Sequence, residues 1–176
     1  MSLMVAAFDI ATSTGCADGL VDGRPRCWTW SMKKAGASRP AKLALLRDYA
    51  DRYFSENRID AVFYERGLGI AAAMEIGMSD DTMALLRGAI GVVEASAAKA
   101  RIPHIQDVGV QEARRYLLGP GRIPRGQGKV LVRERCRVLG WDVANDDESD
   151  AACIWALGCG QMSPAMAAMT TPLFAR

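Results

Sequence analysis

The chain has 176 residues, half of them apolar, and a formal net charge of +2. That length predicts one globular domain with a full core rather than two domains. The apolar stretches are interrupted before the roughly 18 to 20 residues of a membrane span, and no basic-then-apolar leader precedes the first strand, so we expect a soluble cytoplasmic protein without a membrane partner. Five cysteines without CxxC spacing and a single histidine disfavour a structural zinc site or a disulfide framework.

The first third of the chain predicts an antiparallel meander followed by a helix. Short apolar runs separated by turn residues predict strands at residues 4–10, 15–21 and 26–31. Residues 1–3, ahead of Met4, are typical of a cloning remnant and are left out of the fold prediction. Apolar residues at helical spacing then predict a helix over residues 39–57.

The rest of the chain alternates strands and helices. An apolar strand at 59–64 ends in Glu65, and residues 103–108 form a fifth strand. Helices are predicted at residues 81–100, 110–118, 128–139 and 147–159. This order predicts an α/β fold, in which a five-stranded mixed sheet with strands 1–3 antiparallel and strands 4 and 5 parallel is flanked by helices. We assign residues 4–161 to this domain and 162–176 to a C-terminal tail.

Four carboxylates stand out in this scheme, and the first is Asp9. It interrupts an apolar strand, where a buried carboxylate is costly unless a cation or several donors meet it. Parallel strands one and four would place Asp9 beside Glu65. The last helix would add Asp147 and Asp150, which lie three residues apart on one helical face. Such a cluster favours a divalent cation that prefers hard oxygen ligands, magnesium or manganese.

Each carboxylate also has a simpler interpretation. Asp9 could be hydrogen-bonded to the turn at residues 12–14, and acids at a helix start are common because they favour the helix dipole. Asp146 and Glu148 flank Asp147, so either could replace it as a ligand. We select Asp147 because it keeps the DxxD spacing and the helical face.

Three segments carry a family resemblance: FDIATSTG in the first strand, FYERG at the end of the fourth, and DDESDAACIWALG in the last helix. Together they resemble the RuvC-type Holliday junction resolvases of the RNase H-like superfamily, and the resemblance runs through nearly the whole chain. It implies an RNase H-like nuclease domain that holds two divalent ions, Mg²⁺ or Mn²⁺, through Asp9, Glu65, Asp147 and Asp150. The reaction it implies is hydrolysis of DNA phosphodiesters at Holliday junctions or other branched DNA.

A basic segment runs from the end of the second predicted helix into the fourth. From Lys99 to Arg137 the chain has ten Lys or Arg residues against three acids, a pattern typical of a polyanion-binding face, although a solvated helix face would look the same. The resemblance assigns Lys129 to the scissile phosphate. It leaves the flanking backbone phosphates to Arg122, Arg125 and Arg133. The lysine that often follows the fifth strand in the family is missing, and we assign its phosphate contact to the nearest basic residues, Arg114 and Arg115.

The loop after Glu65, RGLGIAAAMEIGMSDD, departs from the family pattern. In the family this loop carries an aromatic residue that stacks at the opened junction, whereas this chain offers Ile70, Met74, Ile76 and Met78. These side chains would act as an apolar wedge between bases, or belong to the core or to a dimer contact. The resemblance also implies a homodimer, and the helix at 82–98 supports it by carrying apolar residues on more than one face.

Two other functions stay open at this point. A catalytically idle RNase H-like dimer would bind nucleic acid without cleaving it. A nucleotide-binding relative of actin and the sugar kinases is suggested only by DIATSTG, and it is disfavoured because that superfamily doubles the fold. The complete set of four carboxylates favours the nuclease.

Overall fold

The computed structural model describes residues 2–119, 123–124 and 126–163. The strands are β1 (Met4–Asp9), β2 (Ser13–Leu20), β3 (Arg26–Ser31), β4 (Ala61–Glu65) and β5 (His104–Val108). The helices are α1 (Arg39–Glu56), α2 (Ile70–Glu75), α3 (Asp80–Lys99), α4 (Val110–Leu118), α5 (Gly128–Val138) and α6 (Asp146–Met162). A short 3-10 helix, Met32–Ala35, follows β3. None of the described helices is long and apolar enough to cross a membrane.

The strand order β3-β2-β1-β4-β5 confirms the predicted mixed sheet. β2 pairs antiparallel with β1 and β3, while β4 lies parallel to β1 and β5. In the parallel register Phe8 lies opposite Tyr64. The next residue of each strand is Asp9 or Glu65, so both carboxylates lie at the same edge of the sheet.

Helices cover both faces of the sheet. On one face α6 packs along the strands with α4 and α5 beside it, around a core that includes Phe63 and Ile154. On the other face α1 and α3 enclose Phe8 and Leu46. Every residue of α6 from 148 to 159 is buried, and each large apolar side chain among them contributes about 1.5 to 3 kcal/mol. This burial fixes the first turn of α6, which carries the predicted DxxD ligands.

Two glycines allow α6 to lie this close to the sheet. A Cβ on Gly15 would stand 1.9 Å from the carbonyl oxygen of Asp147, so the first turn of α6 crosses β2 where the chain has no side chain. A Cβ on Gly158 would stand 2.4 Å from the ring of Phe63 on β4. Because Gly15 is the β2 partner of Asp9, the glycine of the FDIATSTG segment sets the distance between β1 and the start of α6.

The segment after β4 is the main departure from the predicted elements. The sequence predicts a loop here, whereas Ile70–Glu75 forms the helix α2. Residues 71–73 are three alanines, which have the highest helix propensity, and Gly77 follows in the left-handed conformation with φ of 70°. Six residues are too few to show a helical period, so the pattern gave no signal for this helix.

The fold extends slightly beyond both ends of the predicted domain, residues 4–161. The Leu3 carbonyl accepts a hydrogen bond from the N–H of Val21 at 2.9 Å, and Leu3 packs against the core. Part of the segment left out of the fold prediction therefore belongs to the fold. At the other end α6 continues to Met162, one residue into the predicted tail. Residues 164–176 of that tail lie outside the described residues.

Candidate active site

The four predicted carboxylates converge at the edge of the sheet where β1 and β4 end. We call Asp9, Glu65, Asp147 and Asp150 the carboxylate cluster. Asp9 is only 9% exposed. Burial, a hydrogen bond with the Glu65 side chain and the negative charges of Glu65, Asp150 and Asp147 raise the pKa of Asp9 to about 9. Because such charge effects need close neighbours, the structure brings all four predicted ligands together.

The chemistry of the carboxylate cluster suits a divalent cation. Carboxylate oxygens are the hard donors that Mg²⁺ and Mn²⁺ prefer, and a cation would relieve the repulsion that raises the pKa of Asp9. Within the part of the chain that the structure describes, no three Asp, Glu, His or Cys side chains already stand in coordinating positions. In this structure Asp9 is hydrogen-bonded to Glu65, and Asp150 is paired with Arg114. Asp9, Glu65 and Asp147 fit a metal ion once Glu65 turns out of its hydrogen bond with Asp9.

The Asp150–Arg114 pair joins α6 to α4. Arg114 Nη2 donates to both carboxylate oxygens of Asp150 at 3.0 Å, and Nε donates to Oδ1 at 3.3 Å. The Asp150 side chain is 5% exposed and the Arg114 side chain 14%. Burial raises the pKa of Asp150, while the charge of Arg114 and its hydrogen bonds oppose that rise. The sequence assigned Arg114 to a DNA phosphate, and that contact stays a prediction.

The structure separates Asp147 from the two acids that could have replaced it. Glu148 is buried and accepts hydrogen bonds from the Thr29 hydroxyl at 2.9 Å and from the N–H of Ala144 at 2.8 Å. Asp146 forms an ion pair with an arginine of α5 instead, at 3.4 Å. Of these three acids, Asp147 is the one whose charge is among the main causes of the raised pKa of Asp9. The geometry favours Asp147 as the ligand, in agreement with the DxxD spacing.

Solved structures with a similar fold are known. No protein-family model and no curated protein matches the sequence. Among solved structures, Thermus thermophilus RuvC is similar with a TM-score of 0.66 and 18% identity, over 92% of this chain and 97% of that one. The RuvC of that organism in complex with a Holliday junction substrate gives a TM-score of 0.61 and 14% identity, over 92% and 96%. The yeast mitochondrial Holliday junction resolvase Ydc2 gives 0.52 and 12%, over 96% and 85%.

The chain has the RuvC fold. The carboxylate cluster stands on three of its elements, with Asp9 ending β1, Glu65 ending β4, and the two DxxD residues in the first turns of α6. Identity to each of these structures is below a fifth. The activity of this chain therefore depends on its own side chains.

The predicted DNA-binding residues of this RuvC-type fold occupy different settings. Lys129 is exposed in the first turn of α5, and its charge opposes the rise in the pKa of Asp150. Arg133 is about half exposed and is the partner of Asp146. Arg115 is exposed, and its Nε donates to a backbone carbonyl of α4 at 3.3 Å. Two predicted contacts lie outside the described residues: Arg122 and Arg125.

A cavity of about 210 Å³ opens beside Asp9 and Glu65 and is lined by two further arginines. Arg66 directly follows Glu65 in FYERG, so the sequence held a signal for it, and its guanidinium pairs with Asp107 of β5. Arg87 lies on α3 and had no such signal, because its position depends on how α3 packs near the end of β4. The remaining wall is mainly apolar and includes Met78, Met83, Leu86 and Ile90.

Three of the four predicted wedge residues are exposed, on α2 or directly after it. The side chains of Ile70, Met74 and Ile76 are 58%, 68% and 66% exposed. This exposure overturns the interpretation of these three residues as core. Met78 differs because it lines the cavity beside the carboxylate cluster. The wedge and the dimer contact stay as predictions for the exposed side chains.

Proposed function

We propose that the protein is a metal-dependent, structure-selective endonuclease that cleaves Holliday junctions or other branched DNA. The observation that carries the proposal is the carboxylate cluster around the buried Asp9. A fold alone does not specify an activity. Four acids held together against their mutual repulsion cost stability unless a cation neutralises them, and such perturbed groups concentrate at functional sites.

Asp9, Glu65 and Asp147 would hold the divalent cation, Mg²⁺ or Mn²⁺. When bound, such a cation polarises the scissile phosphoryl group and lowers the pKa of a coordinated water. Asp9 would be the central ligand because it lies within reach of both Glu65 and the first turn of α6. Rotation of Glu65 out of its hydrogen bond with Asp9 would free both carboxylates for coordination. The resemblance also implies a second ion, which would need Asp150 as a ligand.

Basic residues next to the carboxylate cluster would bind the DNA backbone. Lys129 would neutralise charge on the scissile phosphate, since its ammonium group already acts on Asp150. Arg133 and Arg115, both exposed, would contact flanking phosphates, which positions DNA without reading its sequence. Arg122 and Arg125 stay as further predicted contacts. Binding through such residues releases counterions, so the affinity would fall as salt rises.

Two copies of the chain would act together on a junction. A four-way junction presents two equivalent strands, and a symmetric dimer presents two equivalent sites. Partly buried apolar side chains on α3, including Met83 and Val92, and exposed ones on α2, including Met74, are the surfaces available for this contact. The dimer remains part of the proposal, as does the choice between a four-way junction and another branched DNA.

Cleavage of a labelled synthetic four-way junction tests this function beside a linear duplex and a flap of matched sequence. With Mg²⁺ or Mn²⁺ we expect paired nicks near the junction point, and none with chelator. Cleavage of the flap or duplex instead would keep the nuclease but change the substrate. Tight junction binding without cleavage would refute the nuclease and indicate the catalytically idle dimer.

A further inference from the structure

Asp150 differs from the rest of the carboxylate cluster because it forms an ion pair with Arg114. The Arg114 guanidinium contacts both of its carboxylate oxygens, with three donor–acceptor distances of 3.0 to 3.3 Å. Arginine stays charged at any pH at which the protein is folded, and its planar fork matches a carboxylate in a bidentate pair. The Asp150 side chain is buried, and the Arg114 side chain is mostly shielded from solvent. Charge-assisted bonds of this kind are among the strongest hydrogen bonds in proteins.

Arg114 has little room to leave this position. Its helix α4 is anchored by Ala113 and Leu117, which are fully buried. The first residue of α5, Gly128, covers the guanidinium so closely that a Cβ there would stand 3.0 Å from Nη1. The absence of a side chain at Gly128 therefore leaves just enough space for the Asp150–Arg114 pair. Such packing fixes the guanidinium next to the carboxylate cluster.

We infer that Arg114 serves as a built-in cation in place of a second metal ion, so that the free protein binds one divalent cation through Asp9, Glu65 and Asp147. Two effects support this count. The oxygens of Asp150 are turned to Arg114, and the guanidinium charge repels any second dication brought to Asp150. The inference rests on the proposed metal site and goes beyond it by fixing the number of ions.

Counting Mn²⁺ ions on the free protein tests the inference. Titration calorimetry gives the stoichiometry, and electron paramagnetic resonance distinguishes an isolated Mn²⁺ from a spin-coupled pair. We expect one isolated ion for the wild-type protein and for Arg114→Lys, which keeps the charge. Arg114→Gln should bind two ions and show the coupled spectrum, because Asp150 is then free to coordinate. Two ions on the wild-type protein, or one ion on a folded Arg114→Gln, would overturn the inference.

A second comparison covers the case in which Arg114→Gln does not fold, since that variant leaves a buried carboxylate without its partner. The double variant Arg114→Gln/Asp150→Asn removes both charges at once. We expect it to bind one Mn²⁺ with an affinity within about threefold of the wild-type value, whereas Asp147→Asn should lower the affinity by about tenfold or more. An equal loss in both variants would show that Asp150 is a ligand and would refute the inference.

These measurements use no DNA, so they separate the ion count from the nuclease function. A single isolated Mn²⁺ in the wild-type protein, with a pair in Arg114→Gln, would support the role of Arg114 even if no branched DNA were cleaved. Junction cleavage by a wild-type protein that binds a coupled Mn²⁺ pair would instead support the nuclease and overturn the built-in cation.

Discussion

The carboxylate cluster and the surface around it are built in opposite ways. Asp9 and Asp150 are buried, and they stand on strand ends and on a helix that is packed along its length. The neighbouring α2 and the start of α5 are exposed, with Met74 at 68% and Lys129 also open to solvent. The groups proposed for chemistry are positioned by the core, whereas those proposed for recognition are not. Substitutions in the carboxylate cluster and on the exposed surface should therefore have different effects.

The largest effect is expected from Asp147→Asn, with Asp146→Asn as its matched control. Loss of a metal ligand should slow cleavage by about 10³-fold or more, because metal-ion catalysis supplies several kcal/mol of transition-state stabilisation. Asp146→Asn breaks only a solvent-exposed ion pair with Arg133 and should change the rate by less than about threefold. Single-turnover cleavage rates measure both variants. Equal losses would contradict the choice of Asp147.

The next effect concerns the close approach of α6 to β2. Gly15→Ala places a methyl group where the Asp147 carbonyl now lies, and such overpacking costs about 1 to 3 kcal/mol. Cleavage should fall as well, because the displaced turn carries a predicted ligand. Gly91→Ala on α3 is the control, since its Cβ would meet no atom within 4 Å, and it should stabilise the helix by up to about 1 kcal/mol. Denaturant unfolding measures the free energy of unfolding of both variants. A Gly15→Ala variant as stable as the wild-type protein would refute the close crossing of α6 over β2.

Lys129→Ala probes the exposed region by its salt dependence. Removing one phosphate contact should weaken junction binding and lower the slope of log affinity against log salt by about 1. Lys99→Ala is the control, because Lys99 is bound to Asp51 at 2.8 Å between α3 and α1. Fluorescence anisotropy at several salt concentrations gives both slopes. The same slope for Lys129→Ala and the wild-type protein would exclude a phosphate contact by Lys129.

The smallest effect on stability is expected on α2. The double variant Ile70→Ser/Met74→Ser should change the free energy of unfolding by less than about 0.5 kcal/mol, since both side chains are largely exposed. If they act as a wedge, the preference for junction over duplex should fall by about threefold to tenfold. Leu20→Ser, at an exposed site on β2, should leave that preference unchanged. Competition binding measures the preference for junction over duplex. The same preference in the double variant and the wild-type protein would exclude the wedge.

The sequence predicts residues at the ends of strands and helices better than it predicts contacts between distant elements. Asp9 and Glu65 were predictable because Asp9 interrupts an apolar strand and Glu65 ends one, and parallel strands that neighbour each other end at the same edge. The DxxD residues followed from helical spacing. These inferences needed only local patterns and the order of the elements, which is why the fold was predicted closely.

Contacts between distant elements could not be predicted in the same way. The Asp150–Arg114 pair joins residues 36 positions apart, and it depends on how α4 packs against α6. Arg87 reaches the cavity only through the placement of α3. Helix α2 is too short for a periodic signal, and its neighbours suggested a loop. In each case the deciding factor is packing geometry, which a residue pattern does not specify.

The most direct test of the whole account is Asp9→Asn, measured for junction cleavage, junction binding and thermal unfolding in chelator. We expect cleavage to be lost while the Kd for the junction stays within about threefold of the wild-type value. The metal-free variant should also be more stable, by about 2 kcal/mol or roughly 4 to 8 °C in Tm. The reason is that a carboxyl group whose pKa is raised on folding, here to about 9, destabilises the fold at every pH above its unfolded value. Cleavage at the wild-type rate by Asp9→Asn would contradict the account.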